Sequence, residues 1–120
     1  MDNHTEYLYG LLAQVDAVAE VLAGYGSIEA TRPLFLLWKS VEQGRQGPAN
    51  VPAEKWLEYR LMLELARLQA PAELPEAFPE ELPDTRLALA RVIAKWATAG
   101  EFDLLDAAWR LCRVKLARRN

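Results

Sequence analysis

Apolar residues recur at helical spacing along most of this 120-residue chain, and the pattern predicts five α-helices. The first helix begins at Asn3, because Asn3 and Glu6 have the spacing of a capping box. Gly24 and Gly26 provide its end. Its apolar stripe consists of Leu8, Leu11, Leu12, Val15, Val18, Ala19 and Leu22.

A second helix is predicted to start near Thr31, which places Pro33 in the first turn, where a missing amide donor costs nothing. Ser27 can cap this segment, and Gly44 ends it. Its apolar run, residues 34–38, fits a buried strand as well as a buried helix. The helical flanks and the lack of a partner strand favour a helix at the centre of the bundle.

A third helix is predicted from Pro52, a good first-turn residue, to a limit set by Pro71. Its apolar stripe is wide and consists of Trp56, Leu57, Tyr59, Leu61, Met62, Leu63, Leu65, Ala66 and Leu68. The sequence leaves open whether this stripe is covered by the same chain or by another one.

A proline ladder over residues 70–83, APAELPEAFPEELP, separates the third helix from the rest of the chain. Its prolines are four residues apart, and each follows an apolar residue, so no helix can cross the segment. We favour a stiff connector that tucks Leu74, Phe78 and Leu82 into the bundle. The alternative is a docking peptide, although proline-binding modules prefer two residues between prolines and this ladder has three.

The last two helices are predicted to form an antiparallel hairpin. Asp84 caps the fourth helix, and only Gly100 and Glu101 separate it from the fifth. The fold expected is therefore all-α, a single domain over residues 1–120 with five helices and a proline-rich crossover. Its parts are three helices in 1–69, the connector in 70–83 and the hairpin in 84–118.

This hairpin resembles a tetratricopeptide-type unit. The positions that carry the resemblance are Trp96, Gly100, Phe102, Trp109 and Cys112. Ile93 and Leu105 depart from the family, which has small residues there. A weaker form of the same residue pattern occurs at Ala19, Gly26, Ile28, Phe35 and Trp38. It lies 74 residues before the pattern in the hairpin, which does not match the family's period of about 34 residues. The resemblance implies a protein-binding scaffold without chemistry, built from similar hairpins and not from a true repeat array.

Charge is unevenly distributed along the chain, although the net charge of −3 predicts no global attraction to nucleic acid. Residues 1–31 contain five carboxylates and no lysine or arginine, whereas no acid follows Asp106. One cysteine excludes an internal disulfide. The N-terminus lacks a secretory signal pattern and no apolar run approaches membrane-spanning length, so we expect a cytoplasmic protein without membrane contact.

Candidate reactive residues are few. His4 is the single histidine and is expected to be solvent-exposed, so no metal site is predicted. Cys112 lies on the core side of the fifth helix and is predicted to be a buried hydrophobic residue and not a nucleophile. The carboxylates considered for acid–base chemistry are Glu80, Glu81, Asp84, Asp103 and Asp106. Since nothing places them in an apolar cleft, we expect no enzyme and no cofactor.

We therefore expect a non-catalytic helical subunit or adaptor that acts by protein–protein contact within a larger assembly, with homo-oligomers allowed. The predicted contact residues, on the fifth helix and the ladder, are Arg110, Arg113, Lys115, Arg118, Arg119, Leu74, Phe78 and Leu82. The four tryptophans are expected mostly in the core, and one at the surface would mark a partner site.

Two other functions stay open. In the first, the chain is an accessory subunit of a nucleoprotein complex, similar in size and helical character to the small subunit of a CRISPR effector. The five cations of the fifth helix would then face a nucleic-acid backbone. In the second, the chain is a small inhibitor or immunity-type protein whose acidic first helix mimics a polyanion.

Overall fold

Five α-helices and no strand occur in the part of the chain that the computed structural model describes, residues 3–69 and 73–119. They are α1 (Asn3–Ala23), α2 (Ile28–Glu42), α3 (Ala53–Leu65), α4 (Thr85–Thr98) and α5 (Phe102–Arg119). The predicted all-α bundle is confirmed. Ala70 and Pro71, at the start of the predicted ladder, lie outside the described residues.

Local sequence signals account for several helix ends. The Ser27 hydroxyl accepts a hydrogen bond from the Ala30 amide at 3.1 Å, and the Asp84 carboxylate accepts one from the Arg86 amide at 2.9 Å. Gly100 closes α4 with a φ of 77°, a left-handed conformation that glycine adopts without strain. The Glu101 amide then donates to the Trp96 carbonyl at 2.8 Å, and the chain turns directly into α5.

The start of α2 differs from the prediction. The helix begins at Ile28, three residues before Thr31, so Pro33 lies inside it and not in its first turn. Pro33 has no amide to donate to the Glu29 carbonyl. The Ser27 cap offsets part of the cost of this missing hydrogen bond.

The wide apolar stripe of α3 is only partly covered. Leu57, Leu61 and Leu65 are fully buried, whereas Tyr59 and Leu63 stay 63% and 46% exposed. The helix ends at Leu65, earlier than the predicted limit, and a tight turn follows in which the Leu68 amide donates to the Leu65 carbonyl. The chain itself therefore closes one face of α3 and leaves the other open.

Two helix pairs dominate the packing, α1 with α5 and α3 with α4. Helix α2 contacts α3, α4 and α5, which gives it the central position predicted for it. Its Trp38 is fully buried. Phe35 stacks on Trp109 of α5 with ring centroids 4.8 Å apart, and Trp38 meets Trp109 edge-on at 6.1 Å.

The described part of the ladder packs against the bundle through its apolar residues. Phe78 is 6% exposed and belongs to the core, and Leu74 and Leu82 are half-buried against it. The carboxylate of Glu80 pairs with Lys95 on α4. The preferred interpretation, a connector that tucks these three apolar residues into the bundle, is confirmed.

We expect Phe78→Ala to lower the free energy of unfolding by about 3–5 kcal/mol, because it removes a buried ring and leaves a cavity beneath the connector. Urea unfolding followed by circular dichroism measures this change. Glu76→Ala, at an exposed position of the same segment, serves as the control and should change stability by less than about 0.5 kcal/mol. Equal losses for the two variants would mean that Phe78 does not anchor the connector.

Candidate interaction surfaces

The cations predicted as a contact surface on α5 fall into two groups. Lys115 Nζ lies 3.0 Å from a carboxylate oxygen of Asp16 and 3.0 Å from one of Glu20, both on α1. Arg119 also pairs with Glu20. Lys115 and Arg119 therefore join α5 to α1, and we call these four residues the α1–α5 clamp.

The clamp shifts the pKa values of Glu20 and Lys115. The hydrogen bond from Lys115 lowers the pKa of Glu20, with the positive charges of Lys115 and Arg119 adding to the effect. The hydrogen bonds to Asp16 and Glu20 raise the pKa of Lys115. Both shifts favour the charged forms of Glu20 and Lys115.

The other three cations remain exposed. Arg110, Arg113 and Arg118 have no carboxylate within 4.0 Å among the described residues. Arg110, Arg113, Val114 and Ala117 line a shallow depression of about 350 Å³, and Val114 is 42% exposed. We call Arg110, Arg113, Val114, Ala117 and Arg118 the α5 patch.

The apolar residues predicted as contacts on the ladder face inward. Phe78 is buried and so cannot meet a partner while the connector stays packed. Contact through Leu74 and Leu82, which keep part of their surface exposed, stays a prediction. The outward side of the segment carries the exposed side chains of Glu73, Glu76 and Glu81.

An apolar surface on α1 was missed by sequence analysis. All buried residues of α1 lie between Val15 and Ala23, so Leu8 and Leu12, at the N-terminal end of the apolar stripe, are exposed. The exposed fractions are 65% for Tyr7, 43% for Leu8, 64% for Tyr9 and 63% for Leu12. We call these four residues the α1 patch. Tyr7 and Tyr9 lie on either side of Leu8 in the sequence and outside the apolar stripe. Their presence indicated that apolar side chains in the first turns occur on more than one face of the helix.

A groove of about 380 Å³ lies where the ends of α2 and α4 meet the start of α3. Trp56, the least buried of the four tryptophans, lines it together with Phe102, and the Arg45 guanidinium lies 5.4 Å from the Trp56 ring centroid. Gly47 approaches this indole so closely that a Cβ there would lie 2.4 Å from the ring. The described residues of the lining include no carboxylate, imidazole or thiol, so the groove offers apolar contact and one cation.

Asp106, Asp84 and Cys112, three of the residues considered for chemistry, have structural roles, whereas Glu81 and Asp103 are exposed. Asp106 accepts hydrogen bonds from Trp38 Nε1 at 3.3 Å and from Lys39 Nζ at 2.7 Å, which raises the pKa of Lys39. Asp84 caps α4. Burial raises the pKa of the Cys112 thiol to about 11, so this thiol stays protonated and unreactive at neutral pH. His4 is exposed near the start of α1, as predicted.

In comparisons with known proteins, the chain matches no protein-family model, no curated protein and no solved structure. None of the helices in the described ranges has the length and apolar character needed to span a membrane. Within those ranges, no three side chains of the metal-binding types are grouped closely enough to hold an ion.

The clamp predicts a pH-dependent stability. The pKa of Glu20 in the folded chain lies below its value of 4.5 in the unfolded chain, so its contribution is present above about pH 4.5 and is lost as pH falls through the lowered pKa. Since Glu20 is 42% exposed, we expect Glu20→Gln to cost about 0.5–1 kcal/mol at about pH 7 and much less at about pH 3. Urea unfolding at the two pH values measures this.

The control is Glu81→Gln, because Glu81 is exposed and has no ion pair among the described residues. This variant should follow the wild-type dependence on pH. A loss in Glu20→Gln that is the same at both pH values would contradict a role for its charge.

Proposed function

We propose that this chain is a non-catalytic helical adaptor that acts by protein–protein contact within a larger assembly. The observation that supports the proposal most directly is the α1 patch, four large apolar side chains that are exposed within residues 7–12. Single exposed apolar residues are common on monomers, but four large ones within two turns of one helix are typical of an interaction site.

The position of the patch strengthens this argument. Leu8 and Leu12 continue, toward the N-terminus, the helix face on which Val15 is buried. The apolar side chains of a partner bound at Leu8 and Leu12 would therefore be continuous with the existing hydrophobic core. Tyrosine suits such a position, because its ring provides a large contact area and its hydroxyl remains hydrated at the rim.

The candidate reactive groups support a role without catalysis. Asp106 and Asp84 serve tertiary and capping contacts, and Cys112 is buried as a protonated thiol. An acid–base catalyst needs a titratable side chain that is free to exchange protons with the substrate. The tetratricopeptide-type resemblance of the α4–α5 hairpin, which stays a prediction, points in the same direction.

A photo-cross-linking amino acid at Tyr9 tests the proposal in the organism from which the chain comes. We expect a discrete adduct with a protein, because Tyr9 is 64% exposed beside Leu8 and Leu12. The control position is Leu36, which is 56% exposed on α2 and has Arg32 and Ser40 as its neighbours one turn away. Gel mobility and mass spectrometry identify the adduct. The proposal fails if Tyr9 gives no protein adduct beyond that at Leu36.

A second function, contact with a nucleic-acid backbone, is favoured by one observation. Arg110, Arg113 and Arg118 are exposed and unpaired, so three phosphate contacts are available. Two features make this the weaker proposal. Val114 and Ala117 lie among the arginines, and no aromatic ring is present for base stacking. The net charge is also negative.

Gel shifts with a mixed-sequence single strand test this second function. If it holds, replacing Arg110, Arg113 and Arg118 with Ser should reduce the slope of log affinity against log salt by about 2, because three phosphate contacts are lost. A control with the same change in net charge replaces Arg45, Lys55 and Arg67 instead. Equal effects of the two triple variants, or no binding by the wild type, would exclude a nucleic-acid role for the α5 patch.

A further inference from the structure

We propose that the α1 patch of one copy of this chain docks on the α5 patch of a second copy. The inference rests on the proposed function, because it names the occupant of the same apolar surface. It makes the chain a self-associating subunit whose two contact surfaces differ.

Charge complementarity is the first argument. Asp16 and Glu20 are already bound by Lys115 and Arg119, so these four charges are satisfied within one molecule. The described acidic and basic side chains next to the α1 patch are the exposed carboxylate of Glu6 and the exposed imidazole of His4, and residues 1–31 contain no lysine or arginine. The α5 patch has three arginines without an ion pair, and the carboxylate of Glu29 lies near it, lining a depression together with Arg113 and Ala117.

The chemistry of the two patches is also compatible. The α1 patch covers residues 7–12, or roughly 1.7 turns, and is shorter than the α5 patch over residues 110–118, roughly 2.5 turns at 3.6 residues per turn. The depression of about 350 Å³ beside Val114 and Ala117 offers an apolar floor for a leucine or tyrosine side chain. The guanidinium groups of Arg110 and Arg113 at its edge can lie over tyrosine rings, an arrangement that attracts a cation to the ring face.

Both patches stay available in a folded copy. The clamp fixes α1 along the side of α5 that carries Lys115 and Arg119, and no ion pair joins Glu6 to an arginine of α5 in the described structure. Because the two surfaces differ, one copy can use its α1 patch and still offer its α5 patch to the next.

Association is measured by sedimentation equilibrium on the full chain over about 10–500 µM, the range suited to a small interface. We expect the average mass of the wild type to rise above 13.5 kDa with concentration. Leu12→Lys, which places a cation against the arginines, and the double variant Arg110→Glu, Arg113→Glu should each weaken association about tenfold or more. Leu36→Lys, at an exposed leucine outside both patches, should associate like the wild type.

Mixing the two defective variants is the decisive step. Each retains the surface that the other lacks, so a 1:1 mixture should form a species of twice 13.5 kDa, about 27 kDa, that neither variant forms alone. Unchanged thermal unfolding of each variant shows that the folded chain is intact.

The inference is overturned if the wild type stays monomeric, if only the α1 variant impairs association, or if the mixture stays monomeric. It is also overturned if the arginine variant loses nucleic-acid binding while self-association persists. A cross-link from Tyr9 to a different protein would leave the proposed function intact and refute only the second copy as its occupant.

Discussion

The contact between the two ends of the chain is the interaction on which the rest of the structure depends. Helix α1 packs mainly on α5, and the clamp joins residues as far apart as Glu20 and Arg119, which are 99 positions apart in the sequence. This contact attaches α1 to the rest of the bundle and uses two of the five C-terminal cations. It also decides which surfaces remain for a partner, because α1 is covered only where α5 and its neighbours reach it.

The helices themselves were largely predictable, because their start and stop signals are local. Ser27, Asp84 and Gly100 act as the sequence indicates, each within a few residues of its own position. The start of α2 was misplaced because Pro33 was given the first turn, whereas the helix begins at Ile28 and contains Pro33 although the Ser27 cap offsets only part of the cost. Such a balance between a cap and a proline depends on how well water reaches the free carbonyl, and the sequence does not report that.

The candidate surfaces were less predictable, because periodicity identifies an apolar face but not what covers it. Leu8 and Leu22 belong to one stripe, yet Leu22 is fully buried and Leu8 is 43% exposed. Likewise, Lys115 and Arg118 look equivalent in a basic tail, and only the position of α1 shows that Lys115 is paired while Arg118 is not. In the ladder, by contrast, the burial was predictable: its apolar residues were expected to pack into the bundle, and Phe78 lies in the core.

The large apolar side chains of the α1 patch, in the first turns of α1, are not covered by other parts of the described chain. From Val15 to Ala23 the helix is buried on several sides, so a rotation that covered Leu8 and Leu12 would expose residues already in the core. The N-terminal half of α1, residues 3–14, would be only marginally stable in water as an isolated helix. Gly10 destabilises it further, by about 1 kcal/mol relative to alanine, and a Cβ at this position would have no atom within 4 Å. The helical form of residues 3–14 is thus maintained by its continuity with the clamped half. A partner that contacts Leu8 and Leu12 would gain a surface already held in helical form, and so would lose little entropy in ordering it.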